Sequence, residues 1–180
     1  GLAVAGAWAW WSDAAGLHRV DLGRGEAVAV EAGDGPLRVL AATAEGGAWL
    51  GRGAGLWRAR AEGRGWRLER VAVAPWPLVS LLATADDELW LVGEQGIEVR
   101  DRDAGRVLHA LVSRGQVRIG PDGRPWRFDA KGWTRWSPAD AAFVPVPGAP
   151  EGDWDDVVAE ADGRLWAVRA GELRGWDWRG

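Results

Sequence analysis

The sequence predicts an all-β chain, a β-propeller built as five consecutive blade-like, four-stranded repeats that form part of a larger propeller. Three observations carry this. Tryptophan recurs at Trp10, Trp49, Trp90, Trp126 and Trp166, at intervals of 39, 41, 36 and 40 residues, and a period of roughly 40 residues with several short strands in it marks propeller blades. Six and seven positions after each anchor stands a glycine and then a bulky apolar residue: Gly16-Leu17, Gly55-Leu56, Gly96-Ile97 and Gly132-Trp133, with Gly171 one place early before Glu172-Leu173 in the fifth repeat. Between the apolar runs lie hairpin signals, Glu45-Gly46-Gly47, Asp86-Asp87, Asp122-Gly123 and Asp162-Gly163, and Asp-Gly is a preferred two-residue hairpin turn.

Each repeat supplies four runs. The inner strand precedes the anchor: residues 1–9 hold one, and Leu37–Leu40, Leu78–Leu82, Val117–Ile119 and Val157-Val158 supply the others. The tryptophan strand and the Gly-Leu strand follow; Asp86 to Asp101 shows the pair most plainly, with Leu89-Trp90-Leu91-Val92 and Ile97 to Arg100 around the turn Glu94-Gln95-Gly96. Outer strands are expected at Ala27–Val30, Trp66–Val71, Arg106–Leu108 and Phe143–Val146. Four such runs make one blade. The expected repeats span 1–35, 36–76, 77–114, 115–153 and 154–180, the last without an outer strand. An unpaired edge of that kind invites pairing with another chain.

The 180 residues suffice for one cored domain. Glycine (27) and proline (9) recur too often for any helix-length periodic window. Fifteen tryptophans beside two phenylalanines and no tyrosine make one residue type supply the large aromatic volume, and the five anchors are expected to fill equivalent buried sites between blades. With no cysteine there is neither a disulfide framework nor a thiol nucleophile. No apolar run is long enough to span a membrane, and a chain without methionine is expected to be processed or excised from a longer product. A net charge of −4 argues against a nucleic-acid binder. Arginines gather at Arg52, Arg58, Arg60, Arg64, Arg67 and Arg70, and acids at Glu151, Asp153, Asp155, Asp156, Glu160 and Asp162; both read as solvated faces.

At the Gly-Leu strand the chain resembles a known family. Gly16-Leu17-His18-Arg19-Val20-Asp21, and Asp162-Gly163-Arg164-Leu165-Trp166 leading to Leu173-Arg174-Gly175-Trp176-Asp177, are similar to the two-component regulator propeller repeat, whose pattern is Asp-x-x-Gly-x-Leu-Trp-Ile-Gly-Thr, a turn, then Gly-Leu-x-Arg-Tyr-Asp. The Gly-Thr step is reduced to Gly51-Arg52, and Trp133 replaces the leucine of the fourth repeat. The resemblance implies a non-enzymatic, exported sensor segment of a bacterial signalling protein, periplasmic or extracellular, with neighbouring propeller repeats and a downstream signalling domain as partners.

Catalytic chemistry finds no residues. His18 and His109 fall on different strands two repeats apart, whereas a general base needs a partner within hydrogen-bond reach. The alternative is a propeller lyase or hydrolase related to streptogramin lyase, with catalytic residues outside the chain; it would need titratable groups at the channel mouth, and the inner strands read as mostly apolar. Gly51-Arg52-Gly53-Ala54-Gly55 enters a strand rather than a helix, so it lacks the helix terminus of a phosphate loop. Asp101-Arg102-Asp103-Ala104-Gly105 lacks the later oxygens of a calcium loop. No cofactor or metal is expected. The candidate ligand site is the face shared by the outer-to-inner loops and the second-to-third-strand turns: Trp76 and Trp154 from the first set, and Arg52, Glu94, Lys131 and Arg169, with Asp13, from the second. Stacking on an indole would hold an unidentified small molecule or protein loop there.

Overall fold

The computed structural model describes residues 1–30, 36–43, 45–63, 65–84, 86–113, 115–129, 131–149, 152, 154–160 and 162–178; Arg64, Glu151 and Asp153 of the charged clusters lie outside them. Among the described residues nineteen strands form five antiparallel sheets, and there is no helix. The first sheet is β1 (Leu2–Ala5), β2 (Trp8–Asp13), β3 (Gly16–Asp21) and β4 (Glu26–Val30); the second is β5 (Arg38–Ala42), β6 (Ala48–Arg52), β7 (Gly55–Glu62) and β8 (Gly65–Val73). The third is β9 (Leu78–Ala83), β10 (Glu88–Gly93), β11 (Ile97–Asp101) and β12 (Val107–Leu111). The fourth is β13 (Gln116–Ile119), β14 (Pro125–Asp129), β15 (Gly132–Ser137) and β16 (Ala142–Pro145). The fifth has three strands among the described residues, β17 (Asp156–Ala159), β18 (Arg164–Arg169) and β19 (Glu172–Asp177). Every sheet runs in chain order, inner strand to outer, the meander of a five-bladed β-propeller.

Register explains the repeat. Trp10 pairs with Ala3 and Arg19, Trp90 with Leu82 and Val99, and Trp166 with Val158 and Gly175. Because side chains on directly paired residues share a face, each anchor marks the face its blade turns toward the next one, and so does the apolar residue after the Gly: Leu17, Leu56, Ile97, Trp133 and Leu173 are all in phase with their anchors. The core is a series of interfaces between successive blades. Trp10 and Leu17 pack with Val39, Ala48 and Leu50; Trp49 and Leu56 with Leu81, Leu89 and Leu91; Trp90 and Ile97 with Val117 and Trp136; Trp126 and Trp133 with Val157, Leu165 and Ala167.

Four anchors, Trp10, Trp49, Trp90 and Trp126, are 0–5% exposed. The expectation of five equivalent buried sites is corrected at the fifth. Trp166 is half-buried, and Leu173 is 61% exposed where its four counterparts are 0–3%. The physical reason is that, among the described residues, no blade covers the forward face of the fifth sheet. The rear face of the first sheet is bare in the same way, with Leu2 and Val4 71% and 59% exposed.

Four of the five anchor indoles also donate a hydrogen bond. Trp90 Nε1 donates to Glu88 at 3.1 Å, Trp126 Nε1 to Asp122 at 2.8 Å and Trp166 Nε1 to Glu160 at 3.1 Å, while Trp10 Nε1 donates to the Gly46 carbonyl of the second blade at 3.1 Å. Each bond removes the penalty of burying an indole N–H. Three anchors receive the edge of a tryptophan from the following blade with ring centroids 4.9 Å apart: Trp66 on Trp10, Trp136 on Trp90 and Trp178 on Trp126. Arg19 adds a cation between blades one and two, its guanidinium 3.2 Å from the Trp8 ring centroid and 4.6 Å from that of Trp66. Edge-to-face and cation–π contacts of this kind each add about 0.5–1.5 kcal/mol beyond area burial.

Candidate functional site

The turns between second and third strands and the loops between blades meet on one face of the propeller. The loop after β8 is tied to the β6–β7 turn by the Ala74 amide donating to the Ala54 carbonyl at 2.8 Å and the Leu78 amide to the Gly53 carbonyl at 3.0 Å. Similarly, the Asp155 amide donates to the Val168 carbonyl at 2.8 Å, and the Asp155 carboxylate accepts from the Ala170 amide at 2.7 Å. These bonds fix the loops to the strand ends, so the face is a built surface.

Trp76 lies against the β10–β11 turn. A methyl group placed on Gly93 would sit 1.8 Å from Trp76 Cδ1, and one on Gly96 would sit 2.8 Å from its Cη2. Glycine at both positions lets the indole lie flat on the turn. Trp76 is half-buried and its Nε1 has no hydrogen-bond partner. Gly93→Ala should push the indole off and cost about 1–3 kcal/mol by overpacking, read by urea denaturation; Gly53→Ala, which meets no atom within 4 Å but has φ +58°, separates backbone strain from loss of this contact.

The other expected site residues disperse. Trp154 is buried in the core between blades four and five, edge-on to Trp176 with centroids 5.1 Å apart. Arg52 is half-buried over the Trp57 ring at 5.2 Å. Arg169 is exposed beside Gly152, Lys131 is exposed on the β14–β15 turn, and Asp13 folds back to accept from the Ala15 and Gly16 amides at 2.8 and 3.2 Å and to meet His18 Nε2 at 3.2 Å. The Ala15 amide above all, and then His18, hold the Asp13 carboxyl below the usual carboxylate range. Its stabilising bonds are therefore complete above the ordinary carboxylate pKa and are lost as pH falls through the lowered value. Carboxyl-detected NMR titration should show Asp13 protonating below the ordinary aspartate range.

Glu94 stands elsewhere, at the mouth of the central channel. A recess of about 540 Å³ is lined there by Arg38, Ser80, Glu94, Gln116, Arg118 and Asp156, drawn from blades two to five. Arg118 Nη2 donates to Asp156 at 3.0 Å and to Gln116 Oε1 at 3.3 Å, and Gln116 Nε2 donates to the Asp155 carbonyl at 2.6 Å. Among the described residues, neither the Arg38 nor the Glu94 side chain has a hydrogen-bond or ion-pair partner. The expectation that the inner strands leave the channel without titratable groups is corrected here. Arg38, Arg118 and Asp156 sit on β5, β13 and β17, at edges where alternate side chains turn toward the axis. Their convergence has no local sequence signal, because it depends on stacking four blades.

The two histidines stay apart: His18 stacks on Trp11 at 4.9 Å between centroids, and His109 meets the edge of Trp136 at 5.3 Å. Asp101 accepts from the Gly105 and Arg106 amides at 2.8 and 3.1 Å, closing an ordinary turn. The arginine cluster is internally paired, with Arg60 on Glu69 at 2.7 Å and Arg67 on Glu62 at 3.4 Å. No group of three or more histidine, cysteine or acidic residues that could hold a metal is found among the described residues, and no described helix is long and apolar enough to cross a membrane.

The fold and this site define a β-propeller with a polar channel mouth. Solved structures share the fold. The chain superposes on the extracellular domain of BT4673 from B. thetaiotaomicron, assigned as a one component system, with a TM-score of 0.74 and 11% identity over 99% of this chain and 27% of that one. It superposes on the extracellular domain of BT3049 from B. thetaiotaomicron, assigned as a hybrid two component system, with a TM-score of 0.64 and 10% identity over 94% of this chain and 25% of that one. The dihydro-heme d1 dehydrogenase NirN, solved in complex with DHE, matches with a TM-score of 0.64 and 20% identity over 93% of this chain and 41% of that one. At these identities the shared property is the fold, and the chain spans a quarter to two fifths of the length of these structures. No protein-family model matches the chain, and no curated protein does. The resemblance to two-component regulator propeller repeats, carried by Gly16–Asp21 and Asp162–Asp177, fits the extracellular domains of two-component systems among its structural neighbours.

Proposed function

We propose that this chain is the propeller segment of an exported bacterial sensor, acting by binding rather than by catalysis, with neighbouring repeats and a downstream signalling domain as its partners. The observation that carries the reading is the channel-mouth recess, where an unpaired cation, Arg38, and an unpaired anion, Glu94, face a common space beside the Arg118–Asp156 pair. Unpaired charges of opposite sign in one recess suit a small polar molecule carrying both an acidic and a basic group, or a protein loop with the same groups. Trp76 backs the wall at Gly93 and holds the Glu94 turn in place. The extracellular placement of the BT4673 and BT3049 domains supports a periplasmic or extracellular location.

The channel cluster is also the one observation that favours the second reading, a propeller lyase or hydrolase, since an acid and a base would have to sit there. Neither histidine lies in it.

A thermal-shift screen of small polar metabolites tests the proposal. At saturating concentration a true ligand raises the melting temperature of the wild-type chain, as binding to the native state must. The shift should vanish in Arg38→Ala and in Glu94→Gln and persist in Val112→Ser, which changes an exposed residue that does not line the recess. Hits that shift all four proteins equally would contradict the channel-mouth site, and a hit chemically converted by the chain would favour the enzymatic reading.

A further inference from the structure

Among the described residues, Trp49 is the one anchor whose indole N–H has no acceptor. Trp90, Trp126 and Trp166 each donate to a carboxylate that stands two, four or six positions earlier, Glu88, Asp122 and Glu160. The corresponding positions before Trp49 are Gly47, Glu45 and Thr43. Gly47 has no side chain, and the Thr43 hydroxyl accepts from the Gly47 amide at 3.1 Å. The Glu45 carboxyl is engaged away from the indole: its own amide, and then the Thr43 hydroxyl, hold it below the usual carboxylate range, with the charges of Arg102 and Arg58 adding to the effect. The Trp49 ring is 5% exposed, and it lines a recess of about 290 Å³ between blades two and three. Unlike the unpartnered N–H groups of Trp133 and Trp154, that of Trp49 is not sealed from solvent.

We infer that this recess binds the carboxylate of a small aliphatic acid, held by Trp49 Nε1 and the Arg58 guanidinium. Arg58 lies over the Trp49 ring, 5.2 Å from its centroid, and makes no hydrogen bond or ion pair among the described residues. The other charges of the lining are engaged: Arg102 pairs with Asp87 at 3.2 Å, and Glu88 accepts from Trp90. A cation and an N–H donor are therefore left over side by side, and one carboxylate can accept from both in charge-assisted bonds. Three blades of the same chain already seat a carboxylate on their anchor N–H, so the missing acceptor has a chemical type. Glu45, Asp87 and Glu88 on the same rim oppose a more highly charged anion such as phosphate. Ala41, Ala42, Ala83 and Leu89 complete the wall with small and apolar side chains, which suit a short alkyl tail. The recess is distinct from the channel mouth: Arg38 opens β5 there, whereas Ala41 and Ala42 close the same strand here.

Butyrate is the probe. Titrated at constant ionic strength into a chain labelled with nitrogen-15 tryptophan, it should shift the Trp49 indole N–H signal in a saturable way, and uncharged butyramide should leave that signal in place. Arg58→Gln changes a half-buried side chain that makes no ion pair and should weaken binding about tenfold or more by removing the charge-assisted bond, with unchanged circular dichroism. Trp49→Phe keeps an aromatic ring and removes the N–H, and should lose most of the thermal stabilisation that butyrate gives the wild type. Arg38→Ala should bind butyrate as the wild type does. A Trp49 signal that butyrate does not move overturns the inference, as does an equal shift with butyramide or undiminished binding by Arg58→Gln. Loss of binding in Arg38→Ala would place butyrate at the channel mouth and overturn it as well.

Discussion

Replacing Trp90 by alanine should remove about 3–5 kcal/mol of stability, the range for deleting a buried tryptophan from a core that cannot collapse around it. Trp90 is fully buried, its ring edge-on to Trp136 at 4.9 Å and to Phe143 at 5.9 Å, with its N–H held by Glu88. Val117 and Trp136 on the fourth blade and Ile97 and Val99 on the third form the walls of the space it fills. Those walls belong to strands tied into separate sheets, so the gap stays largely open. Against a total stability of about 5–15 kcal/mol for a domain, the variant should be marginal at room temperature. Trp166→Ala is the matched comparison. It removes the same side chain from the equivalent position in register, but from a half-buried one, and should cost roughly half as much or less by lost area. Urea denaturation of both checks the order. Equal losses would mean that the repeat position, rather than cover by the next blade, determines the cost.

The second large effect belongs to Arg100. Its guanidinium pairs with the buried Glu98 carboxylate and donates to the Ala104 carbonyl at 2.8 Å and to the Val73 carbonyl of the second blade at 3.1 Å. Both side chains are close to fully enclosed. Arg100→Met leaves the Glu98 carboxylate without its cation and two carbonyls without a donor, and should cost about 3–5 kcal/mol. Glu98→Met with Arg100→Met should recover most of that loss, because removing both charges also removes the desolvation penalty. A double-mutant cycle measures the coupling directly; additive losses would show that the pair does not act as a unit.

The blade plan was legible because it is written in short-range periodicity. The Trp-to-Gly-Leu spacing fixes the phase of two adjacent strands, and the Asp-Gly and Asp-Asp turns mark where they reverse, so the anchor and the face it shares with Leu17 or Ile97 follow from alternation alone. What alternation could not show is which side chain of the next blade meets an anchor. Trp66 reaches Trp10 from a fourth strand, Trp136 reaches Trp90 from a third, and Trp178 reaches Trp126 from beyond one. The Glu98–Arg100 pair was hidden for a related reason: two charges two residues apart on a strand read as a solvated face, and only the second blade and the Ala104 turn enclose them. Trp76 and Glu94 were legible as loop-face residues through turn chemistry. Arg38 and Arg118 were not, since an arginine in a short apolar inner strand gives no hint of whether its head lies at the channel mouth or on the outer surface.

On the proposed function, a small polar ligand binds at the channel mouth between Arg38 and Glu94. The indole N–H signals of a nitrogen-15 tryptophan-labelled chain test it most directly, because the tryptophans are distributed over every blade. Titrated with the hit from the metabolite screen, the Trp76 signal, which backs the Glu94 turn, should shift in a saturable way. Those of Trp10, Trp49 and Trp126, buried in other interfaces, should hold still. A saturable shift confined to Trp166, with Trp76 unmoved, would place binding on the forward face of the fifth blade and contradict the claim.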